Sequence, residues 1–274
     1  MKNNDIVKYL KCPCCRAEMT VSEDEKSLFC TGERRHCFDF SSKGYVNLAG
    51  SRGVTGDSKA AVQSRTDFLN RGYYEPIADM LVDILKKYKS QGLVVDAGCG
   101  EGFYTSHIRD ALGEGASVYG IDVSRDAIHA AAKDRKLRLA VASIFDLPAE
   151  NESVDILVNL FAPYDAKEFS RVLKKGGTLV RVFPREKHLW ELKCAVYDTP
   201  YENEIDTLAL EGFSLLEKRE ITFPLDLHKQ EYIDTLFKMT PYYYKTSREG
   251  QSRLAALDSL QTHAEFLLVV YTRN

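Results

Sequence analysis

Five of the seven cysteines fall between residues 12 and 37, and one histidine lies among them. Cys12 and Cys15 have the C-x2-C spacing that lets two thiolates on one tight turn bind a single tetrahedral ion. Cys30 adds a third ligand, and either His36 or Cys37 provides the fourth. Thiolates with at most one imidazole select zinc over magnesium or calcium, and four protein ligands indicate a structural site. The alternative is a set of reactive or buried thiols in a redox protein.

A second candidate site runs from Val94 to Gly102, where an apolar strand enters the loop D-x-G-x-G-x-G. Gly98 and Gly100 let a ligand approach the backbone closely, and the helix that follows offers unpaired N–H groups. Dinucleotide enzymes place such amides against a pyrophosphate, which a carboxylate at Asp96 would repel. The same carboxylate can pair with the ammonium of S-adenosylmethionine. The loop is therefore typical of S-adenosylmethionine-dependent methyltransferases.

Three further segments, each at the end of a predicted strand, support a nucleotide-type site. Asp122 lies 22 residues beyond Gly100, where an acidic residue can accept both hydroxyls of an adenosine ribose. Segment 142–148 follows the third strand, and an adenine can lie there against apolar residues. Segment 159–164 follows the fourth strand. Each alone could be a plain strand-to-loop turn, but their order along the chain favours one shared site.

Strands and helices must alternate along the chain to bring these residues together. Strands are predicted at 93–96, 117–121, 137–142, 154–159, 178–183, 213–223 and 265–271. Helices are predicted at 74–89, 103–112, 125–133, 165–173, 190–197 and 229–238, with Ser124 as the N-cap of the third. Continuous apolar strands between helices imply an α/β fold with a parallel sheet covered on both faces.

Composition divides the chain into three predicted parts. Residues 1–48 are turn-rich and form a zinc-binding ribbon, for which the metal provides most of the folding free energy. Residues 49–72 form a linker and a connecting helix, with the Gly- and Ser-rich stretch 49–63 expected to be mobile. Residues 73–274 form the catalytic domain.

The chain has 274 residues, with 37 Lys+Arg against 40 Asp+Glu and a formal net charge of −3. No run of about 18 apolar residues predicts a membrane helix. The polar N-terminus lacks the apolar core of a signal peptide, so a cytoplasmic protein is expected. Residues 1–75 hold 12 basic and 10 acidic residues, a net of +2, and the acidic excess lies in residues 76–274. This asymmetry permits RNA binding but is too small to predict it.

Taken together, these segments resemble the bacterial 23S rRNA (guanine-N1)-methyltransferase family called RlmA, over nearly the full length. The resemblance is carried by C-P-C-C at 12–15, G-Y-V-N-L at 44–48, G-Y-Y-E-P at 72–76, the D-x-G-x-G-x-G loop and H-L-W-E-L-K at 188–193. It implies a class I (Rossmann-like) S-adenosylmethionine-dependent methyltransferase sheet with a small N-terminal zinc-binding ribbon. The implied zinc ligands are Cys12, Cys15, Cys30 and His36. The interval from Cys30 to His36 is longer than the family pattern, so Cys37 and Cys14 remain competing ligands.

The resemblance also implies a cofactor pocket and an RNA substrate. The residues expected to bind S-adenosylmethionine are Tyr74, Asp96, Gly98, Gly100, Glu101, Gly102, Phe103, Asp122, Val123, Ser143 and His188. Without the resemblance, His188 would be interpreted as a satisfied surface histidine on a helix. The expected partner is a 23S rRNA hairpin gripped by the zinc ribbon, with a homodimer whose two subunits form one RNA cleft. Which guanine is modified is not predicted.

Methyl transfer from a sulfonium is an in-line displacement, and the proton on guanine N1 must leave. Phe161 and Pro163, in the loop after the fourth strand, are expected to stack on a flipped guanine. Asp165 is the only carboxylate immediately adjacent and is a candidate base, although an N-cap role for the next helix is favoured. Candidate phosphate contacts, which could equally form a solvated face, are Arg34, Arg35, Lys43, Arg52, Lys59, Arg65 and Arg71.

Two other functions fit parts of the sequence. A small-molecule methyltransferase of quinone or metabolite pathways shares the catalytic core but has no need of a zinc ribbon, so it should survive deletion of residues 1–60. A non-catalytic RNA- or protein-binding module with a retained cofactor fold is the second alternative, and cofactor binding tests it.

Overall fold

The computed structural model describes residues 9–49, 56–88, 91–205 and 208–274. The strands are β1 (Met19–Val21), β2 (Ser27–Cys30), β3 (Cys37–Asp39), β4 (Val46–Asn47), β5 (Gly92–Ala97), β6 (Ala116–Asp122), β7 (Arg138–Val141), β8 (Val154–Leu160), β9 (Leu173–Pro184), β10 (Phe213–Leu227) and β11 (Leu260–Arg273). The helices are α1 (Lys59–Leu69), α2 (Glu75–Tyr88), α3 (Phe103–Leu112), α4 (Arg125–Ala131), α5 (Ala166–Val172), α6 (Trp190–Val196), α7 (Gln230–Lys238) and α8 (Arg248–Ala255), with a 3₁₀ turn at Gly113–Gly115.

The main sheet has eight strands in the order β10-β11-β9-β8-β5-β6-β7-β4. The strands from β4 to β9 run parallel to their neighbours, and β11 is antiparallel to both β9 and β10. Every residue of β8 is buried, as expected for a strand covered on both faces. The α/β class predicted from the sequence is confirmed, and the strand order reverses at β5, where such sheets bind ligands.

Four elements of the large domain differ from the sequence prediction. Strands β10 and β11 are longer than their apolar runs, because their antiparallel register continues to the pair Leu227 and Leu260. Strand β9 begins at Leu173, before the predicted start at residue 178, and it includes Gly176, which has a positive φ of 72°. Helix α8 was not predicted, because Leu254 is the only large apolar residue among its eight, so no repeating apolar pattern marks it.

The N-terminal segment is built onto the main sheet. Strands β1, β2 and β3 form their own antiparallel sheet, whereas β4 pairs in parallel with β7, with Val46 opposite Ala140. Leu10, Leu28 and Leu48 belong to the same buried apolar cluster as Leu147 of the large domain. The predicted ribbon therefore supplies the edge strand of the catalytic sheet.

The segment 49–63, predicted to be a mobile linker, is only partly described. Residues 50–55 lie outside the described part of the chain. From Lys59 the segment is helical, and Ser58 caps α1 by accepting a hydrogen bond from the N–H of Ala61. Within the described residues, no helix is long and apolar enough to cross a membrane.

Candidate cofactor cavity and metal centre

A cavity of about 580 Å³ opens at the carboxyl ends of β5, β6 and β8, beside the segment that follows β7. Of the residues predicted from the sequence, those that line it are Asp96, Gly98, Gly100, Glu101, Asp122, Val123, Ser143, Phe161 and Pro163. The structure thus gathers four segments that are separate in the sequence into one site, as their order along the chain had indicated.

Gly98 shows why the loop after β5 needs a glycine. Its φ is +92°, and a Cβ there would lie 2.5 Å from the Cβ of Ala162. Its N–H donates to the carbonyl of Ile121 at 2.7 Å, which ties the loop to the end of β6. Positive φ and close contact together exclude a side chain. The cofactor loop and the loop after β8 are therefore in direct contact.

Asp96 lines the cavity and has one carboxylate oxygen without a hydrogen-bond partner among the described residues. The residue is buried, and its Oδ2 accepts a hydrogen bond of 2.6 Å from Oγ1 of Thr105. Oδ1 has no hydrogen-bond partner among the described residues. Burial raises the pKa of Asp96 to about 7, against the lowering effect of the Thr105 hydrogen bond. A buried carboxylate with an open oxygen fits a cationic ligand group such as an ammonium.

Asp122 is held in place by two backbone amides. Its Oδ2 accepts from the N–H of Gly100 at 2.9 Å, and its Oδ1 accepts from the N–H of Ser124 at 2.7 Å. Each oxygen keeps a second lone pair for a further donor. The carboxylate is therefore fixed at the end of β6 in a position to accept two hydroxyl groups, as the sequence spacing predicted for a ribose.

Arg65 is a cavity residue that the sequence did not assign to this site. Its Nε donates to Oε2 of Glu101 at 2.7 Å, and its guanidinium also pairs with Asp57. Two carboxylates already engage Arg65, and its role as a phosphate contact stays a prediction. No local pattern could reveal the pairing with Glu101, since Glu101 lies 36 residues away in the chain.

The loop after β8 carries the predicted acceptor residues. Asn159 fixes this loop, because its Nδ2 donates to the carbonyls of Ala97 and Pro163, each at 3.0 Å. Phe161 has a positive φ of 55°, which is uncommon for an aromatic residue, and this strained conformation occurs where the chain turns over the cavity.

Asp165 caps α5 by accepting from the N–H groups of residues 167 and 168, as the favoured alternative predicted. It is not among the residues that line the cavity.

Tyr74 and His188 lie one layer behind the cavity. Both are buried, and their rings contact Phe266 at centroid distances of 5.3 and 4.4 Å. Nδ1 of His188 accepts from the N–H of Glu265 at 3.1 Å, and burial together with Lys193 lowers its pKa to about 3. His188 is thus a neutral buried residue and not a surface histidine.

Because Phe266 also packs on Phe161 at 5.0 Å, His188 and Tyr74 support the cavity wall through Phe266. Gly102 and Phe103, at the start of α3, are likewise outside the cavity lining.

The second site brings together Cys12, Cys15, Cys30 and His36, whose ligand atoms all lie within 4.8 Å of one another. The Sγ atoms of Cys15 and Cys30 are 3.7 Å apart, and Nδ1 of His36 lies 3.5 and 3.4 Å from those of Cys12 and Cys30. Zinc bonds of about 2.3 Å to sulfur and 2.0 Å to nitrogen give tetrahedral edges of about 3.8 and 3.5 Å. The four donors therefore fit a tetrahedral zinc ion.

Cys14 and Cys37 do not belong to this group of four. Both are exposed, and Cys37 contacts Asp39 on the same strand at 3.9 Å. The geometry therefore favours His36 over Cys37 as the fourth donor, as the resemblance implied.

The turn that carries Cys12 and Cys15 contacts the segment after β7 of the catalytic sheet. Arg16, next to Cys15, donates to the carbonyl of Leu147 at 2.8 Å and pairs with the carboxylate of Asp146. The N–H of Lys11 donates to the carbonyl of Pro148 at 2.9 Å. Asp146, Leu147 and Pro148 belong to segment 142–148, and Ser143 of the same segment lines the cavity.

Comparison with known proteins agrees with this geometry. A family model described as a methyltransferase domain matches residues 94–177. YxjB of Bacillus subtilis, which is named for 23S rRNA (guanine-N1)-methyltransferase activity, is 32% identical over 270 residues, covering 94% of this chain and 95% of the relative. The 23S rRNA (guanine(748)-N1)-methyltransferase of Streptomyces fradiae is 33% identical over 202 residues, covering 72% and 70%. A protein of Micromonospora griseorubida with a name of the same kind is 31% identical over 210 residues, covering 69% and 70%. The chain belongs to the 23S rRNA (guanine-N1)-methyltransferase family, and its large domain is an S-adenosylmethionine-dependent methyltransferase.

Proposed function

We propose that this protein transfers a methyl group from S-adenosylmethionine to N1 of a guanine in a hairpin of 23S rRNA. The observation that carries this proposal is the match over 94% of the chain to a relative named for that activity. A small-molecule methyltransferase has no support of this kind. A non-catalytic module would have no use for a buried carboxylate oxygen in the cavity lining that has no hydrogen-bond partner among the described residues.

The cavity has the donors and acceptors that the cofactor needs. Asp96 offers its open oxygen to the ammonium, and Asp122 offers lone pairs to the ribose hydroxyls. The side chain of Ser143 and the apolar residues after β7 face the adenine end. S-adenosylmethionine supplies an activated methyl group on a sulfonium. The protein's own contribution is to orient both partners and to exclude water.

The acceptor end of the cavity is the loop after β8, where Phe161 and Pro163 meet the base. Asn159 holds the carbonyl of Pro163, so the loop presents a fixed surface to a guanine edge. Guanine N1 must lose its proton. Asp165 already accepts two backbone N–H groups outside the cavity, so the proton passes to water or to a group on the RNA.

We assign zinc to Cys12, Cys15, Cys30 and His36. All four positions of the tetrahedron are protein donors, so the ion would stabilise the N-terminal segment and take no part in methyl transfer. Arg34 and Arg35, both exposed on this segment, are the proposed RNA contacts. The proposed substrate places the enzyme in the cytoplasm, and a homodimer with a shared RNA cleft remains a prediction.

Methylation of unmodified 23S rRNA tests the function directly. Purified protein is incubated with labelled S-adenosylmethionine and with 23S rRNA transcribed in vitro, and the product is mapped by primer extension. A methyl group on N1 blocks the Watson–Crick edge, so we expect label in the RNA and one new arrest at a guanine. Asp96→Asn serves as the matched inactive protein. If the transcript takes up no label under any folding condition, the assignment is wrong.

A further inference from the structure

Aromatic side chains are exposed at the mouth of the cavity. Among the described residues, seven large hydrophobic side chains are exposed, and three of them line this one cavity: Phe145 (56%), Phe161 (42%) and Tyr244 (69%). A ring in water forgoes the stabilisation that its burial provides. Three such rings at one opening indicate a planar ligand that covers them.

The three rings reach the cavity from different parts of the sheet. Phe145 follows β7, on the same side as Asp122 and Ser143, where the adenosine end of the cofactor belongs. Phe161 follows β8. Tyr244 lies in the segment between β10 and β11, which are beyond β9 in the strand order. Tyr244 therefore belongs with Phe161 on the acceptor side of the cofactor.

The backbone around Tyr244 is anchored although its ring is exposed. The neighbouring Tyr242 is buried, and its carbonyl accepts from Oγ1 of Thr246 at 2.8 Å. Tyr243 packs against Phe237 with a centroid distance of 5.5 Å. Of these three consecutive tyrosines, Tyr242 and Tyr243 fix the loop, and Tyr244 faces the cavity. A ring held in this way can bind a planar group at a small cost in conformational entropy.

Phe161 is fixed in the same manner. Its ring rests on Phe266 at 5.0 Å and on Tyr104 at 5.9 Å, and its positive φ turns it toward the opening. Two anchored rings from separate loops on the acceptor side match the way proteins hold an unstacked nucleobase between aromatic side chains.

We propose that Tyr244 is a base-stacking residue that, together with Phe161, holds the flipped guanine at the methyl end of the cavity. This inference rests on the proposed function. Tyr244 would contact the acceptor base and not the cofactor. Removing a stacking ring weakens the hold on a base by roughly 5- to 150-fold. The loss should appear with the RNA substrate alone.

The test compares Tyr244→Ala, Tyr244→Phe and Tyr244→Trp with wild type on 23S rRNA transcribed in vitro. We expect Tyr244→Ala to lower kcat/KM for the RNA by at least tenfold, and the two aromatic variants to stay within about threefold of wild type. Calorimetry with S-adenosylmethionine should give the same Kd for all four proteins. Leu216→Ala, at an exposed position on β10 away from the cavity, is the control and should match wild type.

The possible outcomes distinguish failure of the stacking role of Tyr244 from failure of the proposed methyltransferase function. If wild type methylates the RNA and Tyr244→Ala does so within threefold, the stacking role is wrong and the function stands. If Tyr244→Ala loses cofactor affinity by the same factor as activity, Tyr244 contacts the cofactor and the inference is also wrong. If wild type methylates no RNA, the proposed function fails and the inference falls with it.

Discussion

A single carboxylate oxygen in the cavity lining carries the proposed selection of the cofactor. Asp96 is buried, one of its oxygens is bound by Thr105, and the other has no partner among the described residues. Without a ligand, burial favours the protonated acid, so its pKa rises to about 7. A ligand cation reverses that preference, because an opposite charge nearby favours the ionised form. Proton release and cofactor binding are therefore coupled at this residue.

This coupling predicts a pH dependence for cofactor affinity. Below a pH of about 7 the acid must lose its proton for the cation to bind, so affinity should rise about tenfold per pH unit and then level off above the pKa. His188, with a pKa of about 3, stays neutral throughout this range and adds nothing to the slope. Calorimetry with S-adenosylmethionine between about pH 5.5 and 8 measures it. Asp96→Asn should bind weakly, with a much flatter pH profile.

Two variants on α3 test whether Asp96 is the group whose titration sets the pH dependence of cofactor affinity. Thr105→Val removes the hydrogen bond that stabilises the ionised carboxylate, so the midpoint of the pH profile should move upward. Ser106→Ala is the matched control, because Oγ of Ser106 donates to the carbonyl of Phe103 and does not touch Asp96. A wild-type profile retained by Asp96→Asn would show that another group titrates.

At the scale of elements, the turn that carries the proposed zinc ligands is tied to the loop that follows β7. Arg16 follows Cys15 and bonds to the carbonyl of Leu147 and to Asp146, and Ser143 of the same loop lines the cavity. This turn thus contacts one wall of the cavity although it lies outside it.

We predict that Arg16→Ala raises the Kd for S-adenosylmethionine about fivefold, since a hydrogen bond contributes about 1 kcal/mol and the guanidinium is partly exposed. Its zinc content, measured by mass spectrometry, should stay at that of wild type. Arg35→Ala is the matched control, because Arg35 lies over the Phe29 ring in the same segment and, within the described part of the chain, makes no hydrogen bond to the loop after β7. Equal Kd values for the two variants would show that the tie has no role in cofactor binding.

The sequence predicted those elements whose signals lie between near neighbours in the chain. Helix α3 spans Phe103–Leu112 as predicted, and Ser124 caps α4 through its hydrogen bond to the N–H of Ala127, because periodicity and capping involve near neighbours. Strand β4 could not be recognised, since its two residues show no period and its partner β7 lies about ninety residues away. The pairing of Arg65 with Glu101 is equally non-local. The loop after β5 could be identified from the sequence, because its glycines occupy positions where positive φ angles or close contacts exclude a side chain.

At the scale of the whole molecule, the N-terminal segment is part of the catalytic fold. It covers the edge of β7 with β4, and its residues Leu10, Leu28 and Val46 are buried in a cluster shared with Leu147 and Val95. Fully burying a side chain of this size contributes about 1.5–3 kcal/mol. Losing the burial of these three side chains costs on the order of 4.5–9 kcal/mol, which is comparable with the whole stability of a typical domain.

Deletion of residues 1–48 should therefore abolish cooperative folding and cofactor binding, and not only the response to RNA. Circular dichroism on heating and calorimetry with S-adenosylmethionine measure these effects. The contrasting protein is the full chain with Arg34→Ala and Arg35→Ala, which leaves β4 and the shared cluster in place. It should keep the wild-type melting temperature and cofactor Kd and lose only affinity for 23S rRNA. A truncated protein that melts like wild type and binds the cofactor would show that the segment is a separable RNA-binding module, since the shared cluster would then contribute little to the catalytic fold.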